Sequence, residues 1–143
     1  MKKMIILIAA VLFVPVLSSA QDYSDKIQEA YTQAEIEAIV AQDPNELLFR
    51  EYMADRAASI QKRRGDISSI PNITELNDIK KNDSVADITL ENFDIESFNP
   101  LAYELDLENK VHHYRIGDTD RVVQILSENR TRHLFDSGQW YKV

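Results

Sequence analysis

Apolar residues run unbroken from Met4 to Val14 behind Lys2 and Lys3, and Pro15-Val16-Leu17 closes the run. Ser18-Ser19-Ala20 follows with small residues where a signal peptidase needs them, and Gln21 comes next. The pattern predicts a cleavable signal peptide over residues 1–20 and a mature chain of residues 21–143. The alternative is an uncleaved anchor, but spanning a bilayer takes roughly 20 apolar residues. Met4–Leu17 supplies 14, and no later run reaches that length.

Helical spacing dominates from about residue 24 to residue 64. Thr32-Gln33-Ala34-Glu35 has the form of a capping box, with Ile36, Ile39 and Val40 repeating behind it. Asp43-Pro44-Asn45-Glu46 offers a capping Asp, a first-turn Pro and a third-position Glu, which predicts a second helix start. Leu48, Phe49, Tyr52, Met53, Ala57 and Ile60 then form one apolar stripe. Glu46 and Arg50 sit four apart in the favourable order. Lys62-Arg63-Arg64 suits the negative helix pole, and Gly65 suits a stop. A helix pair is expected, packed as a corner or hairpin.

Residues 65–99 carry a different pattern. Ile67, Ile70, Ile73, Leu76 and Ile79 recur every third position around Pro71, and 80–84 reads as an exposed loop. Ile88, Leu90, Phe93 and Ile95 alternate with polar residues, as a strand with one wet face would. From residue 100 onward the alternation predicts an antiparallel β-meander of four or five strands. A turn at Asn109-Lys110 would set Leu107 on His112, Asp106 on His113 and Glu104 on Arg115. A turn at Gly117-Asp118-Thr119-Asp120 would set Tyr114 on Val123 and His112 on Ile125. A last hairpin at Ser137-Gly138 would pair Phe135 with Trp140 and Leu134 with Tyr141. The expected fold is one small α+β domain: an N-terminal helix pair, an acidic middle, and a C-terminal meander whose strands are covered by the helices.

Charge sharpens this division. The formal net charge is −8, and −10 without the two leading lysines. Residues 65–108 hold eleven acids against two bases, so the middle carries nearly all the excess. Such a balance opposes nucleic acid as a partner, because that binding runs on phosphate neutralisation by Lys and Arg. It opposes adsorption to anionic lipid for the same reason. The chain has no cysteine, which excludes a disulfide framework and a lipid-modified cysteine. About 120 residues can bury a sufficient core without staples, which fits the periplasm or cell surface of a Gram-negative cell.

Candidate chemistry is sparse. Three glycines and no cysteine leave no phosphate-cradling loop and no thiol nucleophile, and no Gly-x-Ser-x-Gly elbow occurs. Glu104, Asp106 and Glu108 on one strand face, with His113 across from them, make the candidate metal set for calcium or zinc. His112 and His113 cannot share one ion as strand neighbours, since they point to opposite faces. Against the metal set, Arg115 would neutralise the same ladder. Arg64-Gly65-Asp66 spells an adhesion tripeptide, but a helix end explains each residue. Asn72, Asn82 and Asn129 open sequons that matter only in a eukaryotic secretory pathway. Asp83-Ser84-Val85 is similar to a bacterial O-glycosylation signal in an expected loop.

Ala20-Gln21, the following helix, Asp43-Pro44-Asn45-Glu46-Leu47, Tyr52, Phe98-Asn99-Pro100-Leu101 and Tyr114-Arg115-Ile116-Gly117-Asp118-Thr119 stand in a suggestive order. Together they resemble a group of small exported proteins of gliding-type Gram-negative bacteria, over most of the mature chain. The resemblance implies an envelope location, near a secretion or gliding apparatus, and no activity, so it transfers no functional residue. Two functions follow as expectations. One is a non-enzymatic envelope module that binds another protein through an exposed terminal strand, with Trp140 and Tyr141 as anchors. The other is a cation- or ligand-binding periplasmic protein using the acidic strand face.

Overall fold

Helices begin in this chain where a side chain can satisfy free amides. The computed structural model describes residues 23–138; the expected signal peptide and the expected anchors Trp140 and Tyr141 lie outside them. Ser24 caps α1 (Asp25–Ala30). The expected box closes on α2 (Gln33–Gln42): Glu35 N–H donates to Thr32 Oγ1 at 3.2 Å, and Thr32 N–H donates to Glu35 Oε1 at 2.9 Å. Asp43 Oδ1 accepts from Asn45 N–H at 3.0 Å, and Pro44 opens α3 (Pro44–Arg56). Three helices therefore stand where a pair was expected.

The third helix also stops earlier than its apolar stripe suggests. Ala57 caps α3, and Ala58–Lys62 is strand β1. Ile60 lies three residues beyond Ala57, which fits a helix, but it also alternates with Ser59 and Gln61, which fits a strand. Pairing with a distant strand decides between the two.

Every-third-residue spacing in the acidic middle becomes a 3-10 helix at Ile73–Ile79, the geometry with three residues per turn. Asn72 and Glu75 form a second capping box there. The strand expected at 88–96 is a series of turns instead. Asn77 explains why: its side chain bonds both Ile88 N–H (2.7 Å) and Ile88 C=O (2.8 Å), so one amide replaces a partner strand. No strand forms over 101–108 either. Pro100–Ala102 is a 3-10 turn, and Leu101, Ala102 and Tyr103 are buried in succession, so the alternation fails. Tyr103 makes only an isolated bridge to Lys80.

Among the described residues three strands make the sheet, in the order β1-β3-β2, with β2 at His112–Arg115 and β3 at Arg121–Ile125. This replaces the expected meander of four or five. The register expected for its central hairpin holds: Tyr114 faces Val123 and His112 faces Ile125. Gly117 turns that hairpin at φ +58°, and a Cβ there would stand 3.0 Å from Leu90 Cδ1. The first arm of the expected last hairpin is a helix, α4 (Glu128–Asp136), capped by Ser127, and its second arm at Trp140-Tyr141 lies outside the described residues. Thr131 and Phe135, one turn apart, both face inward: Thr131 is fully buried, and Phe135 meets Phe49 edge-on at 5.6 Å and Tyr52 at 5.4 Å.

The main core joins Phe49 and Met53 of α3, Ile73 and Leu76, Phe98 and Tyr103, and Val123 and Ile125 of β3. A smaller cluster of Ile27, Ile36 and Leu47 holds the three leading helices together. Arg132 lies 3.9 Å over the Phe49 ring and reaches Glu46 Oε1 at 2.9 Å, tying α4 to α3. Burial pushes the Glu46 carboxyl up, but Arg132 and Arg50 outweigh it and hold the carboxyl below its ordinary range.

Candidate functional site

The sheet has two edges, and their backbone groups differ. On β1, Ala57 C=O accepts from Leu126 N–H at 2.9 Å, and Arg63 N–H donates to Asp120 C=O at 2.8 Å. Antiparallel ladders alternate, so in the register Ser59↔Gln124 and Gln61↔Val122 the odd-numbered residues bond to β3. The N–H and C=O of Ala58, Ile60 and Lys62 therefore point away from β3. Among the described residues these outward groups have no hydrogen-bond partner. Ile60, at the centre of the edge, is 36% exposed, an unusual place for a large aliphatic side chain.

The other edge is capped at its Arg115 end, while the outward backbone groups of His113 have no hydrogen-bond partner among the described residues. Arg115 N–H donates to Pro71 C=O at 2.7 Å, and Asn72 makes a parallel bridge to Arg115. The Arg115 guanidinium reinforces the cover, donating to Ile70 C=O at 2.6 Å and to Gly117 C=O at 2.9 Å. Next to it, His113 Nε2 is shut from solvent with no hydrogen-bond partner among the described residues. Burial, then Arg63 and His112, push the His113 pKa down.

The expected metal set is only partly brought together. Glu104, Asp106 and Glu108 line one groove of roughly 330 Å³, and His113 is not among its lining residues. The expected contact between Asp106 and His113 is replaced by one from the His112 ring, whose Nε2 lies 2.7 Å from Asp106 C=O. With no strand at 101–108, the regular carboxylate ladder does not exist. Arg50 and Lys81 line the same groove. Arg50 donates to the Tyr31 hydroxyl at 3.1 Å, and Lys81 Nζ lies 5.0 Å from the Tyr31 ring centre. Burial raises the Tyr31 pKa despite Arg50, and burial lowers that of Lys81 despite Glu104 and Glu35. Tyr103 beside them is pushed up to about 12 by burial, Glu29 and Asp87. Among the described residues, no three His, Cys, Asp or Glu side chains converge as metal ligands.

Ser84 lies in an exposed turn, where its backbone N–H and hydroxyl both meet Asn82 Oδ1. No described helix is long and apolar enough to cross a membrane. Sequence reasoning missed β1 because it extended α3 through Arg64. The alternation Ala58-Ser59-Ile60-Gln61-Lys62 was the available signal. No protein-family model, no curated protein and no solved structure matches the chain.

Proposed function

We propose that the chain is an exported, non-enzymatic envelope component that binds a protein partner by adding the partner's strand to the outer edge of β1. The observation that carries this reading is the open ladder of Ala58, Ile60 and Lys62, with exposed Ile60 at its centre. Strand addition uses such groups directly: main-chain hydrogen bonds supply affinity, and alternate side chains supply selectivity. Export rests on residues 1–20 and on the resemblance above.

Ile60→Pro tests it. The Ile60 N–H points outward, so proline removes a donor from the edge and leaves the ladder to β3 in place. A tagged wild-type chain, crosslinked in cells and purified from the envelope, retains a stoichiometric protein partner, and Ile60→Pro loses it while remaining folded by circular dichroism. Retention by the folded variant overturns the reading.

The second reading puts calcium or zinc in the groove. The shared wall of Glu104, Asp106 and Glu108 favours it, and Arg50 and Lys81 in the same groove oppose it. That reading requires a melting-temperature rise with added metal that Asp106→Asn removes.

A further inference from the structure

We infer that the strand added to β1 is β1 of a second copy of this chain, laid antiparallel across a two-fold axis at Ile60. The inference rests on the β1-edge reading and names its occupant. Three residues point outward, and Ile60 lies midway between the other two. Antiparallel pairing of the edge with itself can match outward groups in several registers. Only the register centred on Ile60 uses all three outward residues of both copies. Each Ile60 then exchanges both backbone bonds with its counterpart, and Ala58 does so with Lys62 of the other copy.

Side chains agree with this register. The two Ile60 side chains, each 36% exposed, meet across the axis and bury apolar surface against one another. Lys62 faces Ala58, so no like charges oppose each other inside the pairing. A register shifted to centre on Lys62 would place two lysines opposite one another, which is destabilising. The basic run Lys62-Arg63-Arg64 of each copy leaves the pairing beside the other copy's α3 C-terminus. There the carbonyl pole of the helix faces it, beside Arg56 and an Asp55 carboxylate already paired with Lys26.

The result is one continuous sheet in the order β2-β3-β1-β1-β3-β2. Its outer edges are both β2, and Pro71 and Asn72 cover the Arg115 end of each. Pairing through β1 is isologous and closes on itself, so it stops at two copies. It also resolves the hazard of an unprotected edge strand.

A chain without cysteine gives a register-specific test. In the proposed dimer the two Ile60 Cα atoms are about 5.5 Å apart, within the roughly 4.4–6.8 Å that a disulfide spans. The two Lys62 positions are four residues apart along the ladder, at least roughly 13 Å. Under mild oxidation, purified full-length Ile60→Cys forms a covalent dimer while Lys62→Cys stays monomeric. Random collision predicts the reverse, since the Lys62 side chain is 76% exposed. Light scattering of the unmodified protein gives twice the monomer mass, and Ile60→Pro gives one. Equal or faster crosslinking of Lys62→Cys, or a dimer that survives Ile60→Pro, overturns the pairing. A wild-type monomer at high concentration also overturns it. In that case an envelope partner that Ile60→Pro loses leaves the β1-edge reading standing with a different occupant.

Discussion

β1 and β2 flank the same central strand and end differently. β2 has its outward Arg115 amide taken by Pro71 and its flank held down by a guanidinium bonded to two carbonyls. β1 is one residue longer, carries an exposed isoleucine, and presents three residues of unpaired backbone among the described residues. Both edges are short, so length does not separate them. The difference lies in the dedicated cover: the 70–72 segment and the Arg115 guanidinium cap one end of β2, leaving only His113 outward, and nothing described caps β1. An edge open along its whole length, beside one capped at an end, is the part of the sheet most suited to receive a strand.

The comparison depends first on the central strand. Ile125 is fully buried on β3 and faces both His112 and Ala58. Ile125→Ala is expected to cost about 2–5 kcal/mol in urea unfolding, weakening both edges together. A loss under about 1 kcal/mol would mean that the two edges do not share this support. Arg115→Ala should cost less, about 1–3 kcal/mol, by leaving the Ile70 and Gly117 carbonyls short of a donor. It sharpens the contrast by uncovering β2. Light scattering should then show species larger than the wild type, because both edges of the sheet are available.

His113 marks the capped side in another way. Its pKa is depressed below the ordinary 6.5, so the folded state favours the neutral ring. The stability this contributes is fully present above 6.5 and is lost as pH falls through the lowered folded value. Urea midpoints at about pH 7.5 and about pH 5 should therefore differ more for the wild type than for His113→Gln. Equal differences would show that the ring is not desolvated. The smallest stability effect belongs to the open edge. At high dilution, where no pairing contributes, Ile60→Lys should change unfolding free energy by no more than about 0.5 kcal/mol, yet at high concentration abolish strand pairing by placing a charge at the edge.

What could be read in the sequence was local. The Thr32–Glu35 box, the Asp43-Pro44 start, the Glu46–Arg50 pair at 3.3 Å and the Gly117 hairpin with its Tyr114↔Val123 register all involve residues a few positions apart. Interactions of that reach leave a signature in short windows. β1 does not: Gln61 finds Gln124, 63 residues away, and that pairing converts the end of an apparent helix into a strand. The reverse happened at 101–108, where alternation was present but Ala102 was drawn into the core as well as its neighbours. Glu104, Asp106 and Glu108 share a groove, but Leu105 and Leu107 line it too, and neither the expected strand nor the expected histidine partner is there. The open edge itself could not be read at all, because being unpaired is a property of what lies beside a strand.

Amide hydrogen exchange, residue by residue along β1, tests the central claim most directly. At high dilution, the account predicts that Ser59, Gln61 and Arg63 are protected by β3 while Ala58, Ile60 and Lys62 exchange freely. As protein concentration rises, or as an envelope partner is added, these three amides gain protection together and the others change little. Two results would contradict the account. Alternating amides that remain unprotected in every associated state would show that association uses another surface. Amides of Ala58, Ile60 and Lys62 already protected at high dilution would show that the edge is not open.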